Sequence, residues 1–203
     1  MERAIFILGS GMHTAKSTES GTKPSWSSRM RQNAGAHLFM AGGYERIYTT
    51  GGEVYKGYPT LAEQGKVRLT KAFGIQGVKT SKGNNTLEEI KKITELVKQN
   101  NWNPNGVSVI SNEYHIVAKD LAEAAGFNFV SAEEILASKH SLYERVIGDI
   151  KSSFTYRQLI TSQELRLKVF RLPFGKLIYQ IADWFLKRDV KITPFDPSGL
   201  QKL

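Results

Sequence analysis

An apolar run, Ala4-Ile5-Phe6-Ile7-Leu8, opens this chain and breaks at once into Gly9-Ser10-Gly11. A run of β-forming residues with no polar alternation is the pattern of a strand covered on both faces, as in a parallel sheet packed between helices. Shorter runs of the same kind follow at residues 46–50, near Val78, and at residues 106–110 and 127–130. Helices fill the intervals. Residues 28–42 are rich in helix formers, Leu87, Ile90, Ile93, Thr94 and Val97 recur at the spacing of one buried face, and Gly126 closes a further helix. Thr60-x-x-Glu63, Thr86-x-x-Glu89 and Ser131-x-x-Glu134 each read as a capping box, in which two side chains satisfy the orphan N–H groups of a helix start. A βαβα order requires right-handed crossovers and helices on both sides of the sheet. The expected fold is therefore α/β, a Rossmann-like three-layer α/β/α sandwich with a mostly parallel sheet.

After residue 137 the pattern turns mainly helical. Leu142, Val146, Ile150 and Phe154 fall on one helical face, and Phe174, Leu177, Ile178, Ile181 and Phe185 on another. Residues 165–169 alternate like a strand, but Thr161-x-x-Glu164 reads as a helix cap, and we read helix. Pro194 and Pro197, with Ser198 and Gly199, mark a loose end. The expected organisation is a domain of residues 1–137 and a helical C-terminal subdomain of residues 138–203.

Composition narrows the function. At 40 % hydrophobic residues the chain supports a core, which excludes a disordered or low-complexity protein. The absence of cysteine excludes a disulfide scaffold, a thiol nucleophile and thiolate zinc sites. No run approaches the roughly 18 to 20 apolar residues of a membrane span, and no signal-peptide pattern opens the chain. A cytoplasmic protein is expected, or one peripheral to the inner membrane. The net charge is +9, of which residues 138–203 carry +6, so an anionic partner is expected. No RNA- or DNA-binding module accompanies the charge, which argues against a specific nucleic-acid partner. Oligomeric state is not legible.

Ligands of open parallel sheets bind beyond the carboxyl ends of the strands. Polar signals fall in those places: Gly9, Ser10 and Gly11 after the first strand, Thr50, Gly51, Gly52 and Glu53 after the second, Asn85 and Thr86 after the third, and Ser111, Asn112, Tyr114 and His115 after the fourth. Paired glycines let backbone N–H groups approach a phosphate, and they serve equally as a tight turn. Arg29 offers a planar fork to a phosphate or carboxylate, or a solvated surface charge. His115 is the candidate proton-transfer group, with packing as the competing explanation. Glu63 and Glu89 are accounted for as caps, which leaves Glu53 and Glu88 as the carboxylates free for catalysis.

The ordered landmarks, an apolar strand into Gly9, Arg29, Thr50-Gly51-Gly52, Glu63, Asn85-Thr86-x-Glu88, and Ser111-x-x-Tyr114-His115 followed by Gly126, resemble the SanA, YdcF and ElyC family over residues 4–137. The resemblance implies a Rossmann-like fold and a bacterial protein linked to cell-envelope biogenesis. Family members usually carry Arg-Ala after the histidine where this chain has Ala118-Lys119, so the basic group falls to Lys119. They often have Asn where this chain has Glu89.

Two functions compete. The first is an enzyme or binder that grips a small anion, nucleotide-like or a phosphorylated envelope precursor, with Arg29 and glycine amides holding charge, His115 moving a proton, and Glu53 or Glu88 orienting it or an attacking water, a hydrolase or transferase in outline. A nucleotide or adenosyl-type ligand suits it; no cofactor is named, no residue is assigned to a metal, and a divalent ion is left open. The second is a non-catalytic adaptor whose basic C-terminal helices, above all residues 174–187, dock on an anionic membrane or a membrane protein.

Overall fold

The computed structural model describes residues 2–14 and 22–171. Its centre is a five-stranded sheet built from β1 (Ala4–Ile7), β4 (Arg46–Thr50), β5 (Lys79–Ser81), β6 (Val107–Ser111) and β7 (Asn128–Ser131). The spatial order is β5-β4-β1-β6-β7, and every pairing is parallel. β1 is buried along its whole length, as its unbroken apolar sequence requires.

The crossover helices distribute themselves between the two faces. α1 (Trp26–Met40) and α2 (Leu61–Phe73) place Met30, Ala34, Ala36 and Leu69 against Ile5, Ile7 and Ile47. α3 (Thr86–Gln99) and α4 (Ile116–Ala124) place Ile90, Ile93, Val97, Ala118 and Ala122 against Phe6, Leu8 and Val109 on the other face. Successive β1 residues thus feed opposite cores. The result is the three-layer α/β/α sandwich with a parallel sheet.

The chain winds from β1 outward through β4 and β5, then returns to add β6 on the other side of β1. The strand order therefore reverses between β1 and β6, the position at which the carboxyl ends of a doubly wound sheet diverge and leave room for a ligand. Two residues hold the backbones close there. A Cβ on Gly9 would lie 2.9 Å from the Thr50 carbonyl oxygen, and Gly51, at φ 122°, occupies a region L side chains avoid, with Leu61 Cβ 2.6 Å from where its own Cβ would be.

Three details differ from the sequence reading. The linker after Gly11 contains a short antiparallel pair, β2 (Met12–Thr14) with β3 (Thr22–Pro24), where only loop was expected. The face drawn through Leu142, Val146, Ile150 and Phe154 is interrupted: α6 (Ser141–Ser152) ends at Ser153, which caps α7 (Phe154–Phe170) by accepting from the Tyr156 N–H. Ile147 is the residue of α6 that joins the core, whereas Leu142 and Phe154 are exposed. Thr161 lies inside α7 and donates to the Arg157 carbonyl, so it caps nothing, although the helical reading of residues 165–169 holds.

The helical extension packs directly on the sheet domain, α6 on α5 (Ala132–Ala137) and α7 on α4. Residues 174–187 and the proline-rich end lie outside the described residues. No helix among the described residues is long and apolar enough to cross a membrane.

Candidate functional site

Strands β1, β4 and β6 deliver their polar ends to one place, and a buried arginine ties the ends of β1 and β6 together. Arg31 lies on the same face of α1 as Ser28, Gln32 and Gly35, the face turned to the sheet, and is only 2 % exposed. A guanidinium has five donors and no acceptor, so burial is tolerable only where acceptors surround it. Arg31 donates to the Leu8 carbonyl at 3.2 Å, to the Gly9 carbonyl and to Asn112 Oδ1 at 2.6 Å. These carbonyls lie just past the strand, where no ladder partner continues. The Asn112 amide in turn donates to Glu133 at 3.0 Å, and the Glu133 carboxylate also accepts from the Glu113 N–H at 2.9 Å and the Ser131 hydroxyl. Asn112 thus relays a buried cation to a buried anion, since Glu133 is 2 % exposed.

His115 completes this arrangement at the N-cap of α4. Its Nδ1 lies 2.9 Å from the Ser111 hydroxyl and 3.4 Å from an Arg31 terminal nitrogen, and its Nε2 lies 3.1 Å from the Thr86 hydroxyl. Arginine can only donate, so Nδ1 is assigned as the acceptor and the proton rests on Nε2, which donates to Thr86. Burial, followed by the positive charges of Arg31 and Arg166, holds the imidazole pKa well below the usual histidine range. The ring is neutral at pH 7. Having accepted from His115, the Thr86 hydroxyl keeps its own proton for donation, and no second hydrogen bond engages that hydroxyl among the described residues.

On the opposite side of the β1 exit stands a second carboxylate. Glu89 is 4 % exposed and accepts from the Gly9 N–H at 2.9 Å and from the Thr50 hydroxyl. The Gly9 residue is therefore held between a carboxylate at its nitrogen and a guanidinium at its oxygen.

Of the residues singled out from sequence, Gly9, Thr50, Thr86, Ser111, Asn112 and His115 converge on this network. Ser10 and Gly11 are pinned to the start of α1, Ser10 to the Ser27 hydroxyl and Gly11 by both its N–H and its carbonyl to Ser28. The Gly51 N–H donates to Ser81, and Gly52 packs against Asn84, so this pair brings the strand ends together. Asn85 caps α3 by accepting from the Glu88 N–H. Tyr114 sets its ring against Tyr156 of α7, with centroids 5.7 Å apart.

Other candidates lie apart from the network. Arg29 is exposed on α1 and its charge acts on Arg68 of α2, which donates to Asn33 one turn further along α1. Lys119 is exposed and faces Glu123 at 3.9 Å. Glu53 is an exposed loop residue accepting from the Gly57 N–H at 2.7 Å, and Glu88 accepts from the Asn84 N–H at 2.8 Å. Glu63 makes the full capping box with Thr60, whose backbone and hydroxyl donors lower its carboxyl pKa. The box expected at Thr86-x-x-Glu89 does not form. Asn85 is the cap, Thr86 is already helical, and Glu89 turns inward to Gly9.

Sequence reasoning missed Arg31, Glu89 and Glu133. A signal existed for the first two. Arg31 follows Ser28 by three residues and precedes Gly35 by four, and Glu89 shares the i, i+3, i+4, i+7 stripe of Thr86, Ile90, Ile93 and Val97. Among the described residues no group of three or more His, Asp or Glu side chains is arranged to hold a metal ion.

Fold and site together define a doubly wound α/β protein with a buried, charge-compensated polar network at its topological switch point. Comparison of the chain with family models, with curated proteins and with solved structures gives no match.

Proposed function

We propose that this protein binds a small anionic molecule, nucleotide-like or phosphorylated, at the carboxyl edge of its sheet, with His115 as the proton-transfer group. One observation carries the reading: a partly exposed histidine, neutral at pH 7 and of fixed tautomer, stands at the switch point beside a hydroxyl with a proton left to give. A neutral imidazole can take a proton from a bound hydroxyl or water, and Thr86 and the start of α3 favour negative charge. Hydrolysis or group transfer at a phosphate suits these parts. The family resemblance in the ordered motifs supports the same edge of the sheet.

The test is thermal stabilisation of the purified chain by nucleotides, adenosyl compounds, sugar phosphates, prenyl phosphates and divalent metals. The reading expects a phosphate-bearing compound to raise the melting temperature of the native sequence and not that of His115→Gln. Equal stabilisation of both proteins contradicts it.

A second reading, an adaptor on an anionic membrane surface, is favoured by the exposure of Phe154, Leu159 and Leu165 on α7. Co-sedimentation with liposomes that is indifferent to anionic lipid removes it.

A further inference from the structure

The loop that delivers His115 is not held by the sheet domain alone. β6 ends at Ser111 and α4 begins at Ile116, so residues 112–115 bridge the two. A helix start is ordinarily fixed from within, by the side chain of its N-cap residue. His115 occupies that position and makes no side-chain cap bond, because its ring is turned to Ser111 and Thr86. The residues ahead of it are gripped from several directions instead. Asn112 is held by Arg31 of α1 and Glu133 of α5, and the Glu113 N–H donates to the same Glu133 carboxylate. Two further grips come from the helical extension. The Glu113 carboxylate pairs with Lys151 of α6, and the Tyr114 ring meets the Tyr156 ring of α7 edge to face, at 87° with centroids 5.7 Å apart.

These two grips differ in strength. Lys151 and Glu113 both remain partly in water, whereas Tyr156 is 6 % exposed and its ring contact is shielded from solvent. The Tyr156 hydroxyl makes no hydrogen bond among the described residues, so what this residue offers the loop is its ring. The extension is itself pinned: Ile147 of α6 is buried in the core, and Arg171 just beyond α7 pairs with Asp120 of α4.

We infer that Tyr156 and Lys151 are positioning residues, which act through Tyr114 and Glu113 to hold the His115 ring in register with Ser111 and Thr86. The inference rests on the reading of His115 as the proton-transfer group and deepens it, because it makes the helical extension part of the support of that site. A site of this kind works only while its supporting contacts keep the reacting side chain in one orientation. With the grip removed, the ring turns between its two hydroxyl neighbours and one fixed tautomer becomes an average of two.

The test records the ring nitrogen-15 shifts of His115 at pH 7 in the full chain, before and after inorganic phosphate is added. The proteins compared are the native sequence, Tyr156→Phe, Tyr156→Leu, Lys151→Gln and Ile147→Ala. Tyr156→Phe keeps the ring and should superimpose on the native spectrum. Tyr156→Leu keeps apolar bulk without the ring, and the well-separated Nδ1 and Nε2 shifts of the native protein should move towards each other; Lys151→Gln should move them the same way by less. Ile147→Ala opens the packing of the extension without touching the loop, so it should lower the melting temperature and leave the ring shifts native. Native ring shifts in Tyr156→Leu, or an equal change in Ile147→Ala, overturn the inference. Should Tyr156→Leu fail to fold, Lys151→Gln decides, because a part-exposed ion pair contributes little to stability: unaltered ring shifts there overturn it as well. Phosphate separates this inference from the reading beneath it. Native ring shifts indifferent to phosphate contradict anion binding, while the comparison among variants still tests the grip on His115.

Discussion

The two edges of the sheet use the same residue types to opposite ends. At the amino edge Glu2 bonds Arg46 at 2.6 Å and the Trp102 indole N–H at 2.6 Å, and about a third of each charged side chain remains in water. At the carboxyl edge Arg31, Glu89 and Glu133 are almost wholly enclosed. An exposed pair gains little because solvent already satisfies both partners, while an enclosed charge must find every hydrogen bond inside the protein. The lesson is one of cost: a fold places three charged groups out of water only where other groups hold them in fixed positions, and that fixity is what a binding or catalytic site requires.

The comparison breaks first at Arg31. Replacement by Met leaves the Leu8 and Gly9 carbonyls and the Asn112 oxygen without their donor and Glu133 without its relayed counter-charge. A loss of about 3 to 5 kcal/mol in urea denaturation is expected. Next comes Gly9→Ala, whose new methyl meets the Thr50 carbonyl oxygen and the Gly51 Cα, both backbone atoms that cannot turn aside. About 1 to 3 kcal/mol is expected, again by denaturation.

A smaller effect sharpens the contrast through pH. The folded pKa of His115 lies below its unfolded value of about 6.5, so between the two the unfolded chain binds more protons. Stability from this group is complete above about pH 6.5 and is lost as pH falls towards the folded pKa, with a slope of at most about 1.4 kcal/mol per pH unit. His115→Gln should flatten that part of the stability profile. The smallest effect belongs to the amino edge: Glu2→Gln should leave the denaturation midpoint almost unmoved and abolish what salt dependence the edge has.

The sandwich was legible because its signals are local and repeated. The apolar run of β1, the glycines that follow β1, β4 and β5 and the Thr60 cap each state one element's end without reference to any other. The hairpin of β2 and β3 was not legible, since its strands are three residues each and lie in a polar linker. At α3 two local signals competed: the Thr86-x-x-Glu89 spacing reads as a cap, and the same Glu89 is in phase with Ile90 and Ile93. Burial decided for the second, because Asn85 already satisfied the helix start and Gly9 offered a donor 80 residues away in sequence. Arg31 was overlooked for Arg29 by the same logic. An arginine's partners in this network, Gly9 and Asn112, lie far off along the chain, and only the helical phase hints at which of two neighbouring arginines faces inward. Glu133 left no comparable trace, since its role depends on where the loop after β6 passes.

The protonation of His115 tests the account most directly. Nitrogen-15 chemical shifts of its ring, recorded from pH 8 down to pH 5, should report an unprotonated Nδ1 and a protonated Nε2 that persist below pH 6.5, and should move when phosphate is added. An imidazolium already formed at pH 7, or a ring proton found on Nδ1, would contradict it.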